Sequence, residues 1–373
     1  MIKEVRVGDL LQAEAQTLVN TVNCVGVMGK GIALQFKQRF PEMFADYVQR
    51  CKEGRVRLGE PYLFRPLLPP WILNFPTKQD WRSVSKLADI IRGLEYLAAH
   101  YKAWGIESLA VPPLGCGSGG LEWRVVGPTL YRYLNRLDIP VYLYAPLETP
   151  AEQLSEKFLA TGQESDVPDV FTTGAAGDRL QPGWVALVEI LSRIEREPFR
   201  WPVGRIMFQK LAYFATVAGL PTGLRYERGS YGPFAPGLKT IISKLVNNGL
   251  IREHRLGRMF VVKTGITYPD ARRAYAAEWE AWDEAMNRVA ELLLRMNTRQ
   301  AEMAATVHFV AQSLPEPTEA DVLRETLAWK QKRKPVWRET DVAVTIRNLA
   351  ALGWINVKPS EALPLPAEEE LTF

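Results

Sequence analysis

Short apolar segments alternate with longer amphipathic ones over the first 147 residues, and this alternation restricts the fold more than any other feature of the chain. Apolar runs of about four to eight residues predict strands, and longer segments with an apolar residue every three or four positions predict helices. The predicted strands are Ile2–Val7, Thr17–Val22, Trp71–Phe75, Ser108–Val111 and Val141–Tyr144. The predicted helices are Gly31–Glu53, Ser85–Trp104 and Trp123–Leu137. Strands that alternate with helices in this way predict an α/β fold.

After residue 147 the composition changes, and acidic residues outnumber basic ones as far as Gln181. This stretch, which also contains proline and glycine, predicts an acidic linker over residues 148–181. A mainly helical region is expected over residues 182–373, and a further subdivision near residue 270 stays open. Within it, two helices precede two short strands on either side of the Leu256–Gly257 turn, which is the arrangement of a winged helix-turn-helix.

Three further elements are expected in the last hundred residues. The sequence predicts one long helix over residues 270–297, a second helix over Glu339–Leu352 and a final strand over Trp354–Val357. The helices follow from their apolar spacing, and Gly353 is the residue type that most often ends a helix.

The cysteines and histidines exclude several classes of protein. Three cysteines cannot form a disulfide framework, so a reducing, cytoplasmic location is expected. The three histidines lie far apart and no Cys-x-x-Cys occurs, so neither a metal site nor a cofactor is expected. No apolar run approaches the roughly 18 residues that cross a membrane, and the N-terminus lacks the apolar core of a signal peptide.

A glycine-rich turn follows the second predicted strand. Asn20 and Asn23 lie near the end of that strand, and the turn over residues 26–31 leads directly into a helix. Glycines allow backbone N–H groups to approach a ligand closely, and the N-terminus of a helix favours an anion. The turn is not a P-loop, because no serine or threonine follows a Gly-Lys pair. Taken alone, it is explained at least as well by a tight connection between strand and helix.

A second glycine-rich loop, Gly115–Gly120, again follows a strand and precedes a helix. Two such loops at the carboxyl ends of strands can hold two phosphates at once, which predicts a diphosphate-bridged nucleotide as the ligand. Asp9 follows the first strand, where its carboxylate could accept a hydrogen bond from an adenine amino group. An aspartate in this place is also a common helix cap.

Together these residues resemble the macrodomain family, whose α/β fold, a mixed sheet flanked by helices, binds ADP-ribose. The segments Asn20–Ala33 and Gly115–Trp123 are similar to the branch of the terminal ADP-ribose glycohydrolases, which includes the DarG-type antitoxins. The resemblance covers residues 1–147. The ADP-ribose contacts that it implies are Asp9, Leu10, Gly29, Lys30, Gly31, Ile32, Ala33, Gly115, Cys116, Gly117, Ser118, Gly119 and Gly120.

The same resemblance implies the catalytic residues. Lys78, in the segment Asn74–Arg82, matches the lysine of this branch, and Asn20 and Asn23 would hydrogen-bond the distal ribose. An amine beside a bound diphosphate could attack or orient the anomeric carbon of that ribose, and a lowered pKa would help it. Considered alone, a lysine is more often a solvated surface residue.

One departure from the family pattern bears on the substrate. Some members carry a catalytic aspartate inside the second glycine loop, whereas Ser118 and two glycines occupy that stretch here. Asp80 and Glu122 are the nearest acids in sequence, and neither matches the pattern. The departure favours the DNA-directed members over those that remove ADP-ribose from glutamate side chains of proteins.

The segments Gln209–Phe214 and Arg225–Phe234 resemble the Panacea-type antitoxin domain over residues 182–265. An ADP-ribose-removing domain joined to such a module implies an antitoxin with a DarT-type toxin as its partner. The first domain would then remove ADP-ribose from thymidine in single-stranded DNA, and the second region would bind the toxin that attaches it. Without the first domain, the same two segments are equally well explained as a winged-helix core with a Gly-Pro turn.

The charge distribution agrees with a DNA substrate. Residues 1–150 contain 18 basic and 14 acidic residues, so they account for the whole net charge of +4. A positive surface there suits a DNA strand. Trp81 and Trp123 could stack on a base, although core packing explains both tryptophans at least as well.

Two other functions stay open. A non-catalytic reader of ADP-ribose, joined to a DNA-binding regulator, would need the glycine loops but not Lys78. The neutral charge of residues 151–373 argues against such a regulator, because DNA-binding domains usually carry a basic face. A protein-directed hydrolase would be expected to carry the missing acid.

Overall fold

The computed structural model describes residues 1–160, 180–256, 259–331 and 335–365. The chain divides into two compact units, and each contains more than one stretch of sequence. The first unit comprises Met1–Val185, Ile242–Arg252 and Thr264–Glu278. The second comprises Ala186–Ile241, Glu253–Lys263 and Trp279–Phe373. The assignment of separate functions to residues 1–147 and 182–373 stays a prediction.

A six-stranded mixed sheet forms the centre of the first unit. Its strands are β1 (Ile2–Arg6), β2 (Thr17–Asn23), β3 (Tyr62–Phe64), β4 (Trp71–Lys78), β5 (Leu109–Val111) and β6 (Val141–Tyr144). The spatial order is β1-β6-β5-β2-β4-β3, and only β3 runs antiparallel to its neighbour. All five predicted strands are confirmed. The sequence missed β3, because three half-buried residues at a sheet edge are too few to show a pattern.

Helices cover both faces of this sheet, so the expected α/β fold is confirmed. They are α1 (Gly31–Arg39), α2 (Pro41–Lys52), α3 (Leu87–His100) and α4 (Trp123–Leu134), followed by the short α5 (Glu156–Leu159). Successive strand residues point to opposite faces. Leu18 therefore packs with the residues of α1 and α2, while Val19 packs with those of α3 and α4.

The single helix predicted over Gly31–Glu53 was wrong, because the chain forms α1 and α2 with a break at Phe40. The backbone of Phe40 has φ −128° and ψ 69°, which is outside the helical region. Pro41 causes this break, since a proline ring disfavours the helical conformation of the residue before it. Pro41 itself is well placed as the first residue of α2.

The first part of the predicted linker packs onto the first unit. Leu159 is buried in the core beside α4, and the Tyr131 hydroxyl donates to Glu156 at 3.1 Å. Residues 161–179 of that linker lie outside the described residues.

After residue 180 the chain is mainly helical, as predicted. The helices are α6 (Pro182–Arg196), α7 (Arg205–Val217), α8 (Leu238–Asn247), α9 (Tyr268–Ala274), α10 (Ala276–Trp279), α11 (Asp283–Leu294), α12 (Thr298–Ser313), α13 (Glu319–Lys330) and α14 (Glu339–Ala351). Two hairpins pair β7 (Glu227–Gly229) with β8 (Gly232–Phe234) and β9 (Ile251–Leu256) with β10 (Met259–Thr264). The predicted wing corresponds to β9 and β10, and the assignment to a winged helix stays a prediction. No helix within the described ranges is both long and apolar enough to cross a membrane.

Two predictions in this region were wrong. The long helix over residues 270–297 is instead α9, α10, a 3-10 turn and α11. A straight helix buries one apolar face in one core. Here the buried Tyr275 belongs to the first unit and the buried Trp279 to the second, so one straight helix does not serve both. The strand over Trp354–Val357 is absent, and Lys358 makes one isolated bridge to Thr318. Thr318 is the N-cap of α13, so the neighbouring chain turns into a helix and cannot continue a ladder.

The second unit buries an ion cluster beneath the β7–β8 hairpin. Lys330 Nζ lies 3.1 Å from Glu302 Oε1 and donates to the Ser230 carbonyl at 2.9 Å. Lys210 Nζ donates to the Pro233 carbonyl at 3.0 Å, and burial lowers its pKa to about 8. The two lysines hold the hairpin through two backbone carbonyls, one in its turn (Ser230) and one in β8 (Pro233).

Candidate active site

Three neighbouring parallel strands, β5, β2 and β4, end at the same edge of the sheet. The first loop, residues 24–30, follows β2, and the second loop, residues 112–122, follows β5. Lys78 is the last residue of β4 and pairs in register with Asn23. The Cys24 amide donates to the Lys78 carbonyl at 3.1 Å. The structure therefore brings the two glycine loops and the predicted lysine together.

Asn23 organises the first loop. Its Oδ1 accepts hydrogen bonds from the Val25 amide (3.0 Å), the Val27 amide (3.3 Å) and the Tyr47 hydroxyl (2.9 Å), and its Nδ2 donates to the Val27 carbonyl at 2.6 Å. The side chain is 7% exposed. With its amide engaged in this way, Asn23 acts on the site by fixing the loop backbone.

The first loop ends at the N-terminus of α1. Lys30 is the N-cap and its side chain makes no capping hydrogen bond. Within the described part of the chain, no acceptor faces the amides of Gly31, Ile32 and Ala33. Gly31 has φ +58°, a conformation that favours glycine, and a Cβ there would meet no atom within 4 Å. These amides, next to the exposed Gly29, are open to an anion.

The second loop is tightly bonded at its ends and open in the middle. The Leu121 amide donates to the Gly115 carbonyl and the Ser85 amide to the Gly119 carbonyl, at 3.0 and 2.9 Å. No acceptor among the described residues faces the amides of Gly117, Ser118 and Gly119. These three donors also suit an anionic ligand. The Gly120 amide bonds within the loop, and the Cys116 thiol lies 3.9 Å from the Leu114 carbonyl.

Lys78 connects the ends of β2 and β4 to the second loop. Its Nζ donates a hydrogen bond to the Ser118 carbonyl. Burial of this side chain lowers its pKa below the ordinary value for a lysine. No carboxylate among the described residues forms an ion pair with it. A larger fraction of neutral amine is therefore present at a given pH than in an exposed lysine.

Asn20 lies deeper in the sheet than the sequence implied. It is fully buried, and its Nδ2 donates to Asn74 Oδ1 at 2.9 Å and lies 3.9 Å from Met28 Sδ. Asn20 and Asn74 are paired in register on β2 and β4. Asn20 Oδ1 and Asn74 Nδ2 have no hydrogen-bond partner among the described residues. Asn74 was not predicted as a site residue. Its sequence signal was its place four positions before Lys78, which is similar to the place of Asn20 three positions before Asn23.

Asp9 and Leu10 follow the end of β1, a strand that is separated from β5 by β6. Asp9 is exposed and caps a 3-10 turn, with Oδ1 accepting from the Leu11 amide at 3.0 Å. The Leu10 side chain is in the core, so only its backbone could contact a ligand. Ser85 and Tyr47 support the two loops and were not predicted, because each acts across a large sequence separation.

The structure distinguishes the two tryptophans for which base stacking and core packing were both open. Trp81 is 50% exposed, and the Arg82 guanidinium lies 4.5 Å from its ring centre. Trp123 is 3% exposed and packs in the core at the start of α4, so its ring offers no free face. Asp80 holds the turn through the Arg82 amide at 2.9 Å, and the largely buried Glu122 is the N-cap of α4. Among the described residues, no group of three His, Cys, Asp or Glu side chains could hold a metal ion.

Comparison with known proteins agrees with this geometry. The Macro domain family model matches residues 19–130. The DNA ADP-ribosyl glycohydrolase of Thermus aquaticus is 32% identical over 381 aligned positions, which cover 98% of each chain. A DNA ADP-ribosyl transferase-DNA ADP-ribosyl glycohydrolase fusion protein of Thermosipho africanus is 43% identical over 172 positions, 41% of this chain and 44% of that protein. The solved macrodomain of Mycobacterium tuberculosis DarG is 49% identical, with a TM-score of 0.37, and covers 38% of this chain and 97% of that one.

The mixed sheet, the two glycine loops at its edge and the matching family model define the first unit as a macrodomain. Similarity to a DNA ADP-ribosyl glycohydrolase extends along nearly the whole chain, beyond that domain. The chain therefore belongs to the family of the DNA ADP-ribosyl glycohydrolases.

Proposed function

We propose that this protein is an antitoxin that removes ADP-ribose from thymidine bases of single-stranded DNA and neutralises a DarT-type toxin by direct binding. The observation that carries the first part is the position of Lys78. Its amine is held by the Ser118 carbonyl, in the middle of the second loop, and its strand adjoins the first loop. A lysine with a lowered pKa thus lies next to the three free amides of that loop, and α1 supplies three more.

The amides of α1 and of the second loop would hold the diphosphate, because both groups are backbone donors without an acceptor in the described chain. The distal ribose would then lie at Lys78. There the neutral amine acts on the anomeric carbon, as a nucleophile or by orienting the sugar, while the bond from that carbon to the thymine nitrogen breaks. If the amine attacks, it forms a bond to the anomeric carbon that water later breaks, which frees the lysine; if it orients the sugar, water attacks that carbon directly. In both cases the hydroxyl of the water stays on ADP-ribose and its proton goes to the thymine nitrogen, so ADP-ribose and the restored base are the products.

A DNA substrate is supported by the relatives and by the surface near Lys78. The Thermus aquaticus relative is named for its action on DNA. Trp81 lies three residues after Lys78, half-exposed and stacked with Arg82, so an aromatic face and a cation are available to a nucleic-acid strand. The basic surplus of residues 1–150 adds a general attraction for phosphates.

The toxin partner is supported by the relative from Thermosipho africanus, in which a DNA ADP-ribosyl transferase is fused to the glycohydrolase. We assign the binding of such a transferase to residues 182–373. The second unit contains most of this region, and it has its own buried core and ion cluster. A separately stabilised unit of this kind can engage a protein while the macrodomain acts on DNA.

Replacing Lys78 tests the enzymatic part. We expect Lys78→Ala to slow the release of ADP-ribose from a modified single-stranded oligonucleotide by about 100-fold or more. Lys86→Ala removes an exposed lysine whose side chain makes no capping hydrogen bond at the start of α3, and it should release ADP-ribose at the wild-type rate. Unchanged release by Lys78→Ala would refute the proposed role. If the wild-type protein released ADP-ribose from modified protein and not from DNA, the substrate would be wrong. Binding of ADP-ribose without release from either would indicate a reader.

The same variant tests the antitoxin part. Full-length Lys78→Ala should still copurify with a DarT-type toxin and inhibit its transferase activity, because toxin binding is assigned to residues 182–373 and Lys78 lies outside them. If the wild-type protein does not copurify with the toxin, the assignment of toxin binding to residues 182–373 is contradicted.

A further inference from the structure

Two segments from the C-terminal half of the chain, residues 242–252 and 264–278, belong to the macrodomain unit. A buried hydrogen bond joins one of them to the second glycine loop. The Glu122 amide, at the end of that loop, donates to Asn248 Oδ1 at 2.7 Å in a buried environment. The two residues are separated by 126 positions in the sequence.

Asn248 is itself held rigidly. It is 1% exposed, and its Nδ2 donates to the Lys244 carbonyl at 2.9 Å. Its own carbonyl accepts from the Thr267 hydroxyl at 2.7 Å. Gly249, with φ +72°, places the backbone so close to α3 that a Cβ would lie 3.2 Å from Leu87 Cδ2. The acceptor that faces Glu122 therefore has a fixed position relative to the sheet.

The path from Asn248 to Lys78 is short. Leu121 precedes Glu122, and the Leu121 amide donates to the Gly115 carbonyl, which closes the loop. Three residues separate Glu122 from Ser118, the residue whose carbonyl holds the Lys78 amine. A shift of the Glu122 end would therefore move the free amides and the carbonyl that positions Lys78.

Further contacts attach one of these segments, residues 264–278, to α4 away from the loop. Arg132 lies 3.0 Å from Asp270, which also pairs with Arg273 at 2.5 Å. The Arg124 guanidinium lies 4.1 Å from the centre of the Tyr275 ring. These contacts fasten α9 along α4 and none of them touches the second loop, so this part of the packing can be weakened separately.

We propose that Asn248 is a positioning residue for the ADP-ribose site, which means that the C-terminal region completes the macrodomain by fixing its second glycine loop. This inference rests on the proposed function of the site. When Asn248 is truncated, the Glu122 amide loses a buried partner and the loop end relaxes to reach water. ADP-ribose then has to order the loop as it binds, and affinity falls.

The test compares Asn248→Ala with Arg132→Ala in the full chain, with ADP-ribose as the titrant in calorimetry below the unfolding temperature of both. We expect Asn248→Ala to weaken ADP-ribose binding about tenfold, equivalent to about 1.4 kcal/mol, and to raise KM for a modified oligonucleotide similarly. Arg132→Ala disturbs the same packing without touching the loop and should bind within about twofold of wild type. Asn248→Asp keeps an acceptor oxygen and should bind more tightly than Asn248→Ala.

Equal loss of affinity in Asn248→Ala and Arg132→Ala would overturn the proposal, since it would show a general effect of stability. Unchanged affinity in Asn248→Ala would overturn it as well. The wild-type protein distinguishes a failure of the proposed function. If it binds ADP-ribose and releases none from DNA, the catalytic proposal fails, while the affinities of the variants still decide the role of Asn248.

Discussion

Two glycines of the second loop, Gly117 and Gly119, have opposite surroundings, and alanine substitution separates their roles. A Cβ at Gly119 would lie closer than 3.0 Å to the Gly115 carbonyl oxygen and to Ser85 Oγ, whereas a Cβ at Gly117 would meet no atom within 4 Å. Neither glycine has the positive φ that an alanine would resist. The space beside Gly117 is the space that we assign to the diphosphate.

The expected magnitudes follow from these distances. Gly119→Ala forces backbone apart in a packed loop, which typically costs about 1–3 kcal/mol of folding free energy. For a domain of this size that corresponds to a fall in Tm of about 2–12 °C. Gly117→Ala should change the folding free energy by no more than about 1 kcal/mol, in the stabilising direction, because alanine restricts the unfolded chain. Its methyl group should nevertheless weaken ADP-ribose binding at least tenfold, since it occupies the space of the ligand.

Thermal unfolding and calorimetric titration with ADP-ribose measure both quantities on the same samples. We expect Gly117→Ala to keep or slightly raise its Tm and to lose affinity, whereas Gly119→Ala should show both a lower Tm and a lower affinity. A Gly117→Ala protein that binds ADP-ribose as tightly as wild type would refute the placement of the diphosphate. A Gly119→Ala protein with an unchanged Tm would refute the argument from packing.

Two further predictions concern buried side chains. Burial lowers the pKa of His308 to about 4 from an ordinary value of 6.5. As the pH falls from about 6.5 to 4, the unfolded chain therefore binds a proton at this histidine and the folded protein does not. The free energy of unfolding should therefore fall by about 3 kcal/mol over that pH range. In urea unfolding, His308→Gln should not show this loss. The control His254→Gln, at an exposed histidine, should show it. Tyr47→Phe removes the hydroxyl that donates to Asn23 and should cost about 1–2 kcal/mol and weaken ADP-ribose binding. Tyr101→Phe, which removes a buried hydroxyl bonded to Asp138 instead, should cost stability alone, and equal affinities in the two tyrosine variants would contradict the role of Asn23.

Several features of the fold could be predicted from the sequence because they depend on neighbouring residues. The apolar runs of β2 and β4 specify strands, and the glycines after β2 and β5 specify turns in which backbone amides are exposed. The break at Phe40 also had a local signal in Pro41, which the regular spacing of apolar residues concealed. The short edge strand β3 had no such signal, since its partner β4 decides that it is a strand.

The candidate site divides in the same way. The sequence placed Lys78, Asn20, Asn23 and the two loops in one site by resemblance, and the parallel strands bring them to one edge of the sheet. It gave no means of distinguishing the half-exposed Trp81 from the buried Trp123. Both are aromatic residues close to a strand end, and exposure is decided by what packs above each ring.

The sequence by itself determined that this chain contains an α/β domain with two loops of free backbone donors and a lysine at a strand end. Strand and helix periodicity and the conformational freedom of glycine depend on only a few neighbouring residues, so they can be recognised in the sequence without knowledge of the fold. Only the tertiary structure decided what each polar side chain binds. Asn23 holds a loop, Asn20 pairs with Asn74 across two strands, and Asn248 reaches back 126 residues to the end of the second loop. Such partners are chosen by the order of the strands and the packing of helices upon them, and these arise from the burial of the whole chain.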